Sequence, residues 1–201
     1  ILDTTTGSPE DAKHIGIRLA DREIEYLDAT ILGSSNDLRI GDALLMAGGT
    51  ETGFERAAPL IRQLVKKSFH IGPWGAGSRM KLVVNLVLGL NRAVLAEGLS
   101  FAERLGFNPE LALEILSSGV AASHVMQTKG PRMIHADFEP QARLRQHHKH
   151  VRLILEQARS AGLDLPLSTL HESLLARCIA AGWGDLDNSA VIQLWKQPKS
   201  E

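Results

Sequence analysis

The stretch "HIGPWGAGSRMKLVVNLVLG", residues 70–89, decides how this chain is read. A glycine-rich turn, "GAGSRM", runs into an apolar segment, the outline of a dinucleotide-binding loop. Such a loop needs three glycines in a strand-to-helix turn, a strand returning within about 30 residues, and an acidic residue about 20 positions on. Here the third glycine position is Met80, no strand returns, and position 101 is Phe101. No other GxGxxG occurs in the chain. The turn therefore reads as the entry to a helix. Ser78 can cap it, and free N–H groups at its start favour an anion such as a carboxylate. Lys81 and Asn85 are i,i+4 and share one face, which Gly89 continues without a side chain. By spacing alone, a surface lysine and a polar asparagine at a helix start would give the same pattern.

Downstream, "SRMKLVVNLVLGLNRAVLAEGLSFAERLG" is one periodic segment that Gly106 should stop. It is apolar around most of its circumference, which predicts the central buried helix of an all-helical domain over residues 73–201. "NPELALEILSSG", "ASHVMQTKGPRMI", "LRQHHKHVRLILEQARSAG", "PLSTLHESLLARCIAAG" and "DNSAVIQLWKQ" follow as further helices. The tail "KQPKSE" is expected to fray.

Upstream, residues 1–72 alternate strand-like and helical runs. "ILDT", "EIEYLDAT", "DALLMAGG" after the "RIGD" turn, and "SFHIG" read as strands. "SPEDAKHIGIRLADR" reads as a helix with Ser8 as cap, Pro9 at its first position and Asp11 closing a capping box. "TGFERAAPLIRQLVKK" reads as another, with Phe54, Ala58, Ile61 and Val65 on one face. The fold class is thus α/β followed by all-α, the first part a sheet with helices on its faces.

Composition bounds the function. The chain has 201 residues, 44% hydrophobic and 22% charged, with net charge −1; nothing in that balance points to nucleic acid. One cysteine, Cys178, excludes an internal disulfide and suits the cytoplasm or another reducing compartment. No apolar run reaches about 18 residues, so no membrane span is expected. The chain begins at Ile1, within a strand-like run, which suggests a part upstream.

Taken in order, these motifs resemble the β-hydroxyacid dehydrogenase family, which includes 3-hydroxyisobutyrate dehydrogenase, tartronate semialdehyde reductase and the glyoxylate/succinic semialdehyde reductases. "GPWGAGSRMKLVVN" resembles its Gly-x-Gly-x-x-x-Lys-x-x-Asn-Asn segment. "ILDTTTGSP" is similar to its Asp-x-Ser-Thr-x-x-Pro, and "YLDATILGS" to its Asp-Ala-Pro-Val-Ser-Gly-Gly. "RLRQHHKHVRLILEQA" resembles its Lys-Asp-Leu helix, and "DNSAVIQLW" its Asp-x-Ser-Ala. The resemblance implies that the first part is the C-terminal portion of a Rossmann-type domain, whose glycine-rich loop would lie before Ile1. This chain alone is then expected to bind nucleotide poorly.

The same resemblance implies roles. NAD or NADP would exchange hydride with a short hydroxy acid or semialdehyde. Lys81 would be the acid/base, and Asn85 would hydrogen-bond the substrate. Gly33 and Ser34 would meet the substrate carboxylate, and Thr5, Thr6 and Lys149 the cofactor. For Lys81 to work as a base, a free pKa of about 10.4 must fall by roughly 3, worth about 4 kcal/mol, through burial and nearby positive charge. A homodimer or tetramer through the helical part is also implied. Departures stand at Leu32 for the family's serine, Ser34 for its second glycine, Val84 for its first asparagine, and His150 for its aspartate. They leave open a non-catalytic or oligomerisation module on the same scaffold.

The remaining candidates have plainer readings. "HHKH" lacks the third and fourth ligands and the acidic or thiol partner that zinc wants, so it is expected to be a partly solvated face and no metal is assigned. Cys178 is read as inert core, the tryptophans Trp74, Trp183 and Trp195 as packing or interface anchors, and the methionines as core.

Overall fold

The computed structural model describes residues 1–196. Most of the tail expected to fray, residues 197–201, therefore lies outside the described residues. Contacts divide the chain into two compact units, Ile1–Val84 and Asn85–Glu201.

The first unit is a four-stranded sheet in the order β1 (Leu2–Asp3), β2 (Leu27–Leu32), β3 (Leu44–Gly48), β4 (Lys67–Gly72). β1 and β2 are parallel, β2 and β3 antiparallel, β3 and β4 parallel. Between the strands lie α1 (Pro9–Ala20), α2 (Ser35–Arg39) and α3 (Glu51–Leu64). Ser8 caps α1 by accepting from the Asp11 N–H at 3.4 Å, with Pro9 at the first position where no N–H is needed. Thr50 caps α3 in the same way. Ile61 and Val65 of the predicted apolar face join Leu27, Ala29, Leu45 and Ala47 in the core, with Phe54 packed against them. The sequence reading missed α2, a short helix just before the "RIGD" turn, because its five residues offer no apolar period.

The second unit contains most of α4 (Ala76–Arg104), then α5 (Pro109–Ser118), α6 (His124–Ile134), α7 (Leu144–Ser160), α8 (Pro166–Ala180), a 3₁₀ turn (Asn188–Ile192) and α9 (Gln193–Lys196). Leu95, Ala96 and Leu99 of α4 centre its core with Val125, Met133, Leu144, Val151, Leu175 and Val191. Cys178 is fully buried there, and Trp183 and Trp195 pack on its margin. Trp74 packs instead in the first unit, over Gly16, with Nε1 donating to the Tyr26 carbonyl at 2.9 Å. Met46, Met126 and Met133 are core; Met80 is 37% exposed.

Two expectations about α4 need correction. It is not buried all round: Val94 is 66% and Phe101 65% exposed, while Leu82, Asn85, Gly89, Arg92, Ala96 and Leu99 form the buried stripe. One chain's elements cover only one side of a 29-residue rod. It is also long and apolar enough, by length and composition alone, to cross a membrane, with a best-window mean hydropathy of 1.5. Asn85, Asn91 and Arg92 interrupt the run of apolar letters, yet the helix as a whole stays apolar. A core helix has the same composition, and 44% of this window is buried.

Candidate functional site

The start of α4 is set by a residue far away in sequence. The Asp28 carboxylate, on β2, accepts from the Gly75 N–H at 2.9 Å and from the Ser78 N–H at 2.8 Å. Ser78 is therefore not the cap. The helix opens two residues earlier, at Ala76, and the anion its start favours is Asp28 itself. The glycines make this approach possible. Gly75 has φ +85°, and a Cβ at Gly77 would meet the backbone of Asp28, Met46 and Gly48.

Lys81 consequently sits in the second turn of α4. Its Nζ donates to the Ile31 carbonyl at the end of β2 at 2.5 Å. Burial pushes its ammonium below the ordinary lysine range. A carbonyl supplies hydrogen bonding without a compensating charge, so desolvation prevails. In the same unit Gly33 follows β2 with φ +143° and is exposed. Ser34 caps α2 through a capping box: its Oγ accepts from the Asp37 N–H at 3.2 Å, and its own N–H donates to Asp37 Oδ2 at 2.6 Å. That N–H is engaged within the chain in this conformation. Leu32 is half-buried beside it. Thr5 and Thr6 follow β1; the Thr5 N–H donates to Asp3 Oδ1 at 2.9 Å.

In the second unit Asn85 is buried, and its Nδ2 lies 3.5 Å from His150 Nδ1. His150 Nε2 lies 3.3 Å from Gln146 Nε2. Lys149 is exposed and lines a groove of about 640 Å³ with Arg145, His148, Arg152, Arg159 and Glu172. The groove is rich in cations.

His147 overturns the solvated-face reading of "HHKH". It is 7% exposed, and its ring lies against Gly89 and 5.2 Å, centroid to centroid, from the ring of His171. Arg92, one turn beyond Gly89, is 8% exposed with Nε and Nη1 unpartnered. Burial and then the Arg92 charge depress both histidines, His171 to about 4 and His147 well below its usual value. Burial also lowers Arg92 itself to about 10. Nearby, Asp187 accepts from Lys129 Nζ at 2.9 and 3.0 Å, from the Gln141, Ala142 and Ser189 N–H groups, and from the Ser189 hydroxyl. Against the desolvation that would raise it, these bonds hold Asp187 at about 2. Among the described residues no group of three or more His, Cys, Asp or Glu could hold a metal ion.

Sequence reasoning did not single out Asp28, Arg92, His171 or Asp187 as individuals. Asp28 and Asp187 stood inside quoted motifs, but their partners are distant in sequence. Arg92 gave one signal, a cation on the otherwise uncharged stripe of α4.

Residues 75–195 match the family described as the NAD-binding domain of NADP-dependent 3-hydroxyisobutyrate dehydrogenase. Residues 1–72 match the NAD-binding domain of 6-phosphogluconate dehydrogenase. The chain is 32% identical to a 2-(hydroxymethyl)glutarate dehydrogenase of Eubacterium barkeri, over 98% of this chain and 66% of that protein. It is 32% identical to a 2-hydroxy-3-oxopropionate reductase of Escherichia coli, over 96% of this chain and 66% of the relative. A 3-hydroxyisobutyrate dehydrogenase structure from Salmonella typhimurium superposes with TM-score 0.91 at 25% identity, covering 96% of this chain and 68% of that one. The chain thus spans about two thirds of the length of the curated relatives it matches.

Proposed function

Because the chain belongs to the β-hydroxyacid dehydrogenase family, we propose that it works as an NAD(P)-dependent oxidoreductase acting on a short-chain hydroxy acid or semialdehyde, with Lys81 as acid/base. The observation that carries this is Lys81 itself, half-buried in the second turn of α4, with the Ile31 carbonyl as its hydrogen-bond partner and its ammonium depressed by desolvation. For stability alone, desolvating a lysine against a neutral carbonyl is a burden; for proton transfer, a lowered lysine pKa is a change in the direction that the chemistry requires.

Bound nicotinamide supplies or takes up the hydride. Lys81 Nζ gives its proton to the carbonyl oxygen in reduction and, as neutral amine, takes the hydroxyl proton in oxidation. Asn85 hydrogen-bonds the substrate without titrating. Gly33 and Ser34 receive the substrate carboxylate; the Ser34 N–H reaches it only by exchanging its bond to Asp37, whereas the Gly33 φ keeps that turn open. Thr5 and Thr6 offer hydroxyls suited to a carboxamide. Lys149 offers an ammonium in an electropositive groove suited to an anionic group, so the donor chemistry fits the cofactor. Lys149, like Asn85, belongs to the second unit.

The apolar stripe Val87, Val94, Phe101 and Leu105, each half or more exposed, supports a homodimer or tetramer through the helical unit. Sedimentation of a monomer at all concentrations would refute that. Cys178, buried and free, suits a reducing compartment such as the cytoplasm. The departures at Leu32, Val84 and His150, with the Ser34 N–H engaged by Asp37, favour a second reading, a non-catalytic module.

Hydride transfer by the full-length protein against a panel of semialdehydes and 3-hydroxy acids separates the two. Lys81→Ala should lower kcat/KM at least about a hundredfold. No turnover across the panel, or an undiminished variant, would overturn the enzyme reading.

A further inference from the structure

We propose that Tyr26 is a positioning residue for the cofactor: acting through Asp3, it makes the Thr5 hydroxyl a hydrogen-bond acceptor toward the nicotinamide carboxamide. The inference rests on the functional reading above, which gives Thr5 to the cofactor. The meeting point is the Asp3 carboxylate, at the end of β1. The Tyr26 hydroxyl donates to Asp3 Oδ2 at 2.8 Å, and the Thr5 N–H to Oδ1 at 2.9 Å. The Thr5 hydroxyl bonds the same carboxylate. Burial by itself would raise Asp3, but these bonds prevail and hold it below the ordinary carboxylate range. Asp3 is therefore ionised at neutral pH, and an ionised carboxylate only accepts. Each hydroxyl bonded to it must give it the hydrogen.

That decides what Thr5 has left to offer. A hydroxyl carries one hydrogen and two lone pairs. With the hydrogen turned inward to Asp3, the exposed Thr5 presents lone pairs. They match the amide N–H of a carboxamide, not its carbonyl. The hold on Thr5 is as firm as the carboxylate that provides it. The bond from the Thr5 N–H is local, closing a turn between near neighbours. Tyr26 ties that turn to the sheet. It is 2% exposed and stands directly before β2, which pairs with β1 through Leu2↔Leu27. Its carbonyl accepts from Trp74 Nε1 at 2.9 Å. Burial, then the Asp3 bond, push its phenol above the ordinary tyrosine range, so it stays a donor at neutral pH.

Cofactor binding to the full-length protein tests this, with the 3-acetylpyridine analogue of NAD or NADP beside the natural form. The analogue keeps the carbonyl and replaces the amide nitrogen with a methyl group. The parent should bind the natural cofactor about fivefold more tightly, as for one hydrogen bond. Thr5→Val removes the acceptor and should bring the two Kd values within about twofold. Tyr26→Phe keeps the ring, drops the bond to Asp3, and should do the same, mostly by weakening the natural cofactor. Asp3→Asn, whose amide can donate back to the Thr5 hydroxyl, should also erase the preference, and it decides alone if Tyr26→Phe does not fold. A purely structural role for Tyr26 would weaken both cofactors equally; that result overturns the proposal. So does a parent without the preference, or a Tyr26→Phe or Asp3→Asn variant that keeps it in full. If the parent binds cofactor yet turns over no substrate, the enzyme reading fails while the Kd ratio still decides the role of Tyr26. A parent that binds no nicotinamide cofactor overturns both.

Discussion

Replacing Gly77 by alanine tests the claim that this glycine exists for helix-to-sheet contact. A Cβ there would meet the Asp28 carbonyl most closely, then the Met46 carbonyl at 2.7 Å and the Gly48 nitrogen at 2.9 Å. All three are backbone atoms of strands paired through the Asp28↔Gly48 register, so none can step aside as a side-chain tip would. The start of α4 must lift by about 1 Å, an overpacking that typically costs about 1–3 kcal/mol. The lift also strains two bonds to the Asp28 carboxylate and the 3.1 Å bond from Thr30 Oγ1 to the Gly77 carbonyl. Bonds to a charged group contribute about 1.5–3 kcal/mol each. Alanine returns about 1 kcal/mol of helix propensity. The net loss should be about 3 kcal/mol or more, which lowers a urea midpoint by about 1 M at a slope of about 2–3 kcal/mol/M. Gly98→Ala is the control, since nothing stands within 4 Å of its Cβ position. It should hold or raise stability by up to about 1 kcal/mol. A Gly77→Ala variant within about 0.5 kcal/mol of the parent would refute the argument.

The remaining predictions concern the second unit. His171 is held at about 4 and His147 well below its usual value, so the unfolded chain binds more protons than the folded one below about pH 6.5. Stability should fall as pH drops from 6.5 toward 4, by about 3 kcal/mol for His171 alone; urea unfolding equally stable at pH 5 and pH 7 would contradict this. Asp187, held near 2, has the same sign in a lower window: its stabilisation is lost as pH falls below about 4. Arg92→Met removes a buried guanidinium with two unpartnered nitrogens while leaving Asp187 paired to Lys129. It should be neutral or stabilising in thermal unfolding, and a loss above about 1 kcal/mol would show that Arg92 has a partner worth keeping. Asp187→Ala should cost about 3–5 kcal/mol, because it strands the buried Lys129 ammonium and several N–H groups. A loss under about 1 kcal/mol would count against that network.

Local features were legible. The α4 period, the cap at Ser8, and strands alternating with helices follow from neighbours a few residues apart. The rejection of the dinucleotide loop was local too, since it rested on a missing glycine and a missing strand. What was not legible depends on partners brought together by folding. Ser78 was a plausible cap until Asp28, on a strand far upstream, took its N–H. His147 looked solvated because its own turn of α7 is polar; Gly89 and His171, on other helices, bury it. The α4 circumference looked uniformly apolar, but only packing distinguishes Leu99 at 2% exposure from Phe101 at 65%.

The Asp28 carboxylate has a consequence for motif searching. A glycine-rich turn entering a helix is commonly taken as a vacancy for a phosphate. Here the protein brings its own anion, carried on a strand 47 residues before Gly75. The turn is self-saturated, and exchanging residues within it offers no handle on nucleotide preference. Such turns can be sorted by a simple criterion: whether an acidic side chain on a neighbouring strand already points at the helix start.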